Sequence, residues 1–163
     1  MIPPKAMFEK IISGGQTGAD RAALDFALKH DISHGGWCPR GRLAEDGIIP
    51  PHYQLQETPE ADSIQRTEWN VRDSDGIVIF SIKEVLSGGS KRTAEFAAFY
   101  GKPYLHFSRE SHGSEAVSKL KEFLDAYPIR ILNVAGPRAS EEPEVGDFVQ
   151  QVLEELFYST ATG

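Results

Sequence analysis

A single cysteine, Cys38, stands in a chain of 163 residues. An intrachain disulfide and a cysteine-based zinc cluster are thereby excluded. This suits a reducing compartment, and a cytoplasmic location is expected. Positive charge is also in short supply. Seventeen Lys and Arg against 24 Asp and Glu give a formal net charge of −7, which argues against a broad nucleic-acid surface but allows a local basic pocket. No run approaches the about 20 apolar residues of a membrane helix, and Met1-Ile2-Pro3-Pro4-Lys5 has no apolar core of a secretory leader. Neither nucleic acid nor a membrane is therefore expected as a partner. The five histidines are scattered, and His34 with Cys38 is too small a set for a metal, so no metal site is expected. Internal repeats and low-complexity segments are absent, and residues 1–163 read as one domain.

The most informative stretch that is present is Ser13-Gly14-Gly15-Gln16-Thr17-Gly18-Ala19-Asp20. It follows the apolar segment Phe8 to Ile12. It opens into a run with Ala19, Ala22, Ala23, Phe26 and Ala27 at helical spacing. The order is strand, glycine-rich turn, helix. Such a turn lets backbone N–H groups approach an anion, and the helix N-terminus adds unpaired donors and a partial positive charge. It is not a Walker A loop, because no Gly-Lys-Ser/Thr follows, and its glycine spacing is not that of the dinucleotide fingerprint. A plain tight turn is the alternative.

Beyond it, His30 to His34 reads as a connection, and Gly35 to Arg42 is rich in turn formers. Residues 43–61 read as irregular, with Pro50-Pro51 and Pro59 opposing helix. A loop of that length in a small domain is usually functional or mobile. Ser63 to Arg72 reads as a helix, and Gly76 to Phe80 as a strand buried on both faces. A second glycine turn, Ser87-Gly88-Gly89-Ser90, precedes a helix from Lys91 to Tyr100. Then come a strand at Tyr104–Phe107, a helical stripe from Ala116 to Tyr127 and a strand at Ile129–Ala135. The third glycine turn is Gly136-Pro137-Arg138, and a last helix carries Phe148, Val149, Val152, Leu153, Leu156 and Phe157 on one face. The alternation predicts an α/β fold with a mainly parallel sheet. If the three strands that precede glycine turns are neighbours, all three turns share its C-terminal edge, where open α/β sheets bind ligands.

Several residues there carry usable chemistry. Ser90 and Thr93 supply hydroxyls beside Gly88 and Gly89, while Lys91 and Arg92 either neutralise an anion or form a solvated face. Glu95 is either a general base or sugar-binding group, or a carboxylate that favours the helix dipole. Arg66, Asn70 and Asp73 recur at helical spacing and can present a guanidinium, an amide and a carboxylate together. The competing reading has Asp73 to Asp75 simply terminate the helix. Arg138 either reaches a ligand at the sheet edge or forms a surface ion pair.

Taken in order, these motifs, with Gly36-Trp37-Cys38-Pro39, Gly41-Arg42, Glu57-Thr58-Pro59, Arg66-Thr67, Asn70 to Gly76 and Leu132 to Arg138, resemble the molybdenum cofactor carrier-like family, whose members carry the name "putative molybdenum carrier". That family lies within a Rossmann-like superfamily that includes the lysine-decarboxylase-like, or lonely-guy, nucleotide phosphoribohydrolases and nucleotide-sensing domains. The resemblance runs from Ile12 to the last helix. It implies a Rossmann-like sheet with helices on both faces, a homo-oligomer (dimer or tetramer), and a phosphorylated small molecule bound at the glycine loops. Gly14, Gly15, Thr17 and Gly18 match the first loop, and Gly88, Gly89, Ser90 and Thr93 the second. The cargo it implies is molybdenum cofactor, whose metal arrives already chelated by its pterin. The phosphoribohydrolases carry Gly-Gly-x-Gly-Thr-x-x-Glu; here Lys91 replaces the third glycine and Thr93 falls one place late, although Glu95 keeps its distance from Gly88.

The reading that results is a binding or carrier protein. The two glycine loops take the phosphate, Arg66, Asn70 and Asp73 contact a pterin or other ring, and Trp37 offers a stacking surface. The alternatives are an N-glycosidic hydrolase of nucleoside monophosphates with Glu95 as its catalytic residue, and a nucleotide-sensing module.

Overall fold

The structure, a computed structural model, describes residues 7–162; the leader expectation at Met1–Lys5 falls outside them. In chain order, β1 (Lys10–Ile12) leads through α1 (Ala19–Lys29) to β2 (Ser33–Gly35). A long segment follows with β3 (Trp37–Cys38), β4 (Leu43–Ala44), β5 (Gly47–Ile48) and β6 (Gln56–Glu57). Then come α2 (Ser63–Arg72), β7 (Gly76–Ser81), α3 (Gly88–Phe99), β8 (Tyr104–Ser108), α4 (Arg109–His112), α5 (Ala116–Ala126), β9 (Ile131–Ala135) and α6 (Val145–Thr162). The α2 bounds agree with the sequence reading because Asp62 caps that helix, accepting from the N–H groups of Ile64 and Gln65 at 3.0 and 3.3 Å. By contrast, α3 starts at Gly88 rather than Lys91, because both glycines enter the first turn.

Five strands form one parallel sheet in the order β2-β1-β9-β7-β8. Moving the last strand to the front of the chain converts this into the 3-2-1-4-5 arrangement of a doubly wound Rossmann sheet. β1, β9 and β7 are adjacent, so the three glycine turns that follow them lie side by side at one edge.

The two faces are covered differently. On one side α1, α5 and α6 bury the main core, where Phe80, Phe107 and Phe148 meet edge-to-face at centroid distances of 4.9–5.9 Å. The alanines of α1 let helices approach closely: an atom placed at the Cβ position of Gly146 on α6 would lie 3.7 Å from the Ala22 Cβ. On the other side α2 and α3 pack Val71 and Ala97 against Ile77 and Ile79. All six residues of β7 are buried, which explains its uninterrupted apolar character.

The segment expected to be irregular from residue 43 to 61 is an ordered cover. β3 pairs with β6 in parallel, and β4 with β5 as a hairpin. Pattern reading fails here because these strands are two residues long and owe their order to one side chain. The Arg42 guanidinium donates to the carbonyl oxygens of Ile49, Leu55, Pro50 and Tyr53 at 2.8–3.4 Å. Beneath it, Leu24, Cys38, Ile49 and Tyr53 form a small separate core. Burial there pushes the Cys38 thiol up, away from the reactive thiolate. Replacing Arg42 by Met removes these charge-assisted bonds and is expected to cost roughly 2–3 kcal/mol. Denaturant unfolding measures the loss, and hydrogen exchange should place it in residues 43–57.

Candidate functional site

At the C-terminal edge of the sheet, the three glycine turns and the side of α2 line an open polar cleft with a cavity volume of about 60 Å³. Close backbone approach makes this possible. A Cβ at Gly18, where φ is +81°, would lie 2.5 Å from the Pro137 carbonyl oxygen, and one at Gly136 would lie 2.4 Å from that of Phe80. The Ala19 N–H donates to the Pro137 carbonyl at 3.2 Å, tying the first turn to the third. Gly18 and Gly136 thus serve loop-to-loop packing.

The N-terminus of α3 forms one wall. The first N–H groups of a helix have no intrahelical partner, and Gly89, Ser90 and Thr93 line the cleft there. Side chains placed at Gly88 or Gly89 would meet nothing within 4 Å. Ser90 is only 4% exposed, and its hydroxyl has no hydrogen-bond partner. A buried polar group in that state is uncommon and asks for an explanation. Thr93 donates its hydroxyl back to the Gly89 carbonyl at 2.9 Å.

Arg66 reaches the facing wall from α2. It is buried, donates through Nη1 to the Gly14 carbonyl at 2.9 Å, and lies 3.7 Å from the Asp20 carboxylate. Burial lowers its pKa, with Asp20 opposing. Asp20, also buried, accepts from the Gln16 N–H at 3.3 Å. Burial outweighs the nearby Arg66 charge and raises its pKa to about 6. The cleft therefore holds a guanidinium whose counterion is ionised at neutrality and takes up a proton near pH 6. Arg138 lines it as well and forms the surface ion pair of the second reading, 3.3 Å from Glu141.

Of the residues expected at the site, Gly14, Arg66, Asn70, Gly89, Ser90 and Thr93 meet in this cleft. The others are placed differently. Gly15, at φ +79°, faces the cover, where a Cβ would lie 2.6 Å from the Leu55 side chain. Thr17 donates its hydroxyl to Glu45 and accepts from the Ala139 N–H, latching the β4–β5 turn to the third glycine turn. Gly88 is exposed outside the lining, as is Glu95, one helical turn beyond Lys91. The carboxamide of Asn70 exchanges hydrogen bonds with both backbone groups of Trp37, at 2.8 and 3.0 Å, and so holds β3 in place. Trp37 and Asp73 line a separate groove, where the indole N–H donates to Asp73 at 2.8 Å. Arg72 holds the Asp73 carboxyl below the usual carboxylate range. Asp73 is the C-cap of α2 and has rotated off the Arg66–Asn70 face.

Among the polar residues that line the cleft, sequence reasoning missed Gln16, Asp20, Thr67, Asn133 and Glu141. Asp20 was visible only as a member of the first motif. Asn133, 3% exposed, sits in the cleft lining, and a polar residue inside the apolar run of β9 was its signal. Glu141 had no signal in the sequence. Among the described residues no three His, Cys, Asp or Glu side chains converge as a metal would require, and no helix is long and apolar enough to cross a membrane.

A parallel sheet in Rossmann order with its last strand transposed, carrying a polar cleft at the switch between β9 and β7, defines a permuted Rossmann-type ligand-binding domain. The profile of the circularly permutated YpsA SLOG family matches residues 11–157, and the chain belongs to that family. The chain is similar, at 50% identity, to a crystal structure from Syntrophus aciditrophicus SB named "Putative molybdenum carrier protein". The match covers 92% of this chain and 95% of that one, with a TM-score of 0.88. No curated protein matches.

The Asp20 pKa yields a signed prediction. Raised from 3.8 to about 6, it makes the folded protein take up a proton that the unfolded chain does not, so stability falls as pH rises through that window. The same protonation removes a negative charge beside Arg66. Sulfate, which does not titrate in this range, should therefore bind several-fold more tightly at pH 5 than at pH 7.5. In Asp20→Asn this dependence, read by calorimetric titration, is expected to flatten.

Proposed function

We propose that this protein binds and carries a phosphorylated small molecule, with the phosphate at the N-terminus of α3 and facing Arg66. One observation carries the reading: the Ser90 hydroxyl is buried and unpartnered in the cleft wall. It lies where free helix N–H groups and the helix dipole favour an anion. A phosphate oxygen at that place would accept from the hydroxyl and from the neighbouring N–H groups together, while Arg66 and Arg138 balance its charge. Gly14 and Gly89 then permit close approach, and Thr93 fixes the first turn of the helix.

Molybdenum cofactor is the cargo this reading favours, supported by the printed name of the similar Syntrophus aciditrophicus protein. Its phosphate would occupy the anion position and its pterin would bring the metal already chelated, which asks no metal ligands of the protein. The reading places the protein in the cytoplasm as a homo-oligomer. Binding is favoured over N-glycosidic hydrolysis because Glu95 is exposed on α3 outside the cleft lining. A nucleotide-sensing role uses the same site and differs only in the partner that reads it.

Gly89→Asp tests the proposal cleanly. A side chain there meets open space, and an acidic residue in the first turn of a helix supports folding. The substitution should abolish binding of inorganic phosphate while leaving the melting temperature unchanged. Ser90→Ala should weaken binding about three- to tenfold. Protein purified from a host that makes molybdenum cofactor should show, by native mass spectrometry, a pterin-sized excess mass that Gly89→Asp lacks. Equal phosphate affinity in wild type and Gly89→Asp would overturn the assignment.

A further inference from the structure

A second hollow adjoins the cleft. It lies between the turn after β7, residues 83–87, and the turn after β9, and shares Pro137 and Glu141 with the cleft as lining. Its cavity volume of about 260 Å³ approaches the lower end of small-molecule sites. Its lining is mainly polar, with Lys83, Glu141 and Glu142, and two apolar side chains border it: Val85, 81% exposed, and Leu86, half-buried. Trp37, the expected stacking surface, faces the other groove. The hollow shares lining residues with the cleft that holds Ser90, whereas the Trp37 groove shares none.

The carboxylates around this hollow are not equivalent. Glu142 is buried and accepts from the N–H groups of Ile82 and Lys83 at 2.7 and 3.0 Å, which fixes the turn. Glu144 pairs with Arg109 at 2.9 Å. Glu141 remains at the junction, exposed, with Arg138 at 3.3 Å as its partner. A carboxylate so close to an anion site repels a second phosphate and attracts paired N–H donors. A planar N–H/NH₂ edge satisfies both of its oxygens at once.

We infer that this hollow is the ring subsite, that Val85 and Pro137 contact the ring faces, and that Glu141 selects a heterocycle with a 2-amino-4-oxo edge, the N–H and NH₂ pair shared by guanine and pterin. The inference rests on the phosphate assignment above and adds its specificity. Adenine and hypoxanthine lack the 2-amino group, and a diphosphate extended toward Glu141 meets its charge.

Calorimetric titration with guanosine, inosine and adenosine 5′-monophosphates, a phosphorylated pterin and inorganic phosphate tests it. Guanosine monophosphate, the phosphorylated pterin or both should bind roughly tenfold or more tightly than the inosine and adenosine compounds. Whichever of the two binds more tightly identifies the source of the shared edge. Glu141→Gln should erase the preference, because an amide cannot accept from both donors. It should leave inorganic phosphate binding undiminished, and Val85→Asp should weaken the ring ligands alone. Equal affinity for all three nucleotides and the phosphorylated pterin, or a preference that survives in Glu141→Gln, overturns the ring subsite while phosphate binding lost in Gly89→Asp keeps the anion site standing. Failure of every probe, inorganic phosphate included, overturns both.

Discussion

The structure depends on the close contact of three loops at one sheet edge. β1, β9 and β7 are neighbours, so their following turns must pass within van der Waals distance of each other. Gly18 against Pro137, and Gly136 against Phe80 and Ala19, leave no room for a side chain. The backbone bond from Ala19 to Pro137 locks the arrangement. Because Ala19 begins α1, helix direction, loop packing and cleft shape are set together. The cover over β2 is held internally by Arg42 and its four carbonyls and is tied to these loops through Glu45.

Electrostatics then decide what such an edge can hold. The chain carries net charge −7, yet the cleft gathers Arg66 and Arg138 beside a helix N-terminus. Their carboxylate neighbours are Asp20, whose pKa is shifted up to about 6, and Glu141 at the exit. Two arginines and a helix N-terminus within a chain of net negative charge suit a small anion and are unsuited to a polyanion. That polarity, the buried Ser90 hydroxyl and the membership in the circularly permutated YpsA SLOG family converge on ligand binding.

Much of the fold was legible in the residues. A continuous apolar run marked β7, helical periodicity marked α1, α5 and α6, and glycine turns marked the edge that holds the cleft. The site was legible in outline and misread in detail. Motif membership could not tell a glycine that lines the cleft, such as Gly89, from one that faces a neighbouring loop, such as Gly15 or Gly18. Thr17 and Asn70 look like ligand donors in sequence, but each is held by backbone or side-chain partners distant in the chain, Glu45 and Trp37. Asp73 shares helical spacing with Arg66 yet lies at the helix end, where the face is lost. Glu141 became visible only when the fold laid the last turn beside α3.

The most direct test follows backbone amides by heteronuclear NMR while inorganic phosphate is added to the full chain. A phosphate seated at the N-terminus of α3 should move the Gly89 and Ser90 amides first and furthest, with Gly14 following. Shifts confined to Gly35, Gly36 and Trp37, in the other groove, would contradict the account.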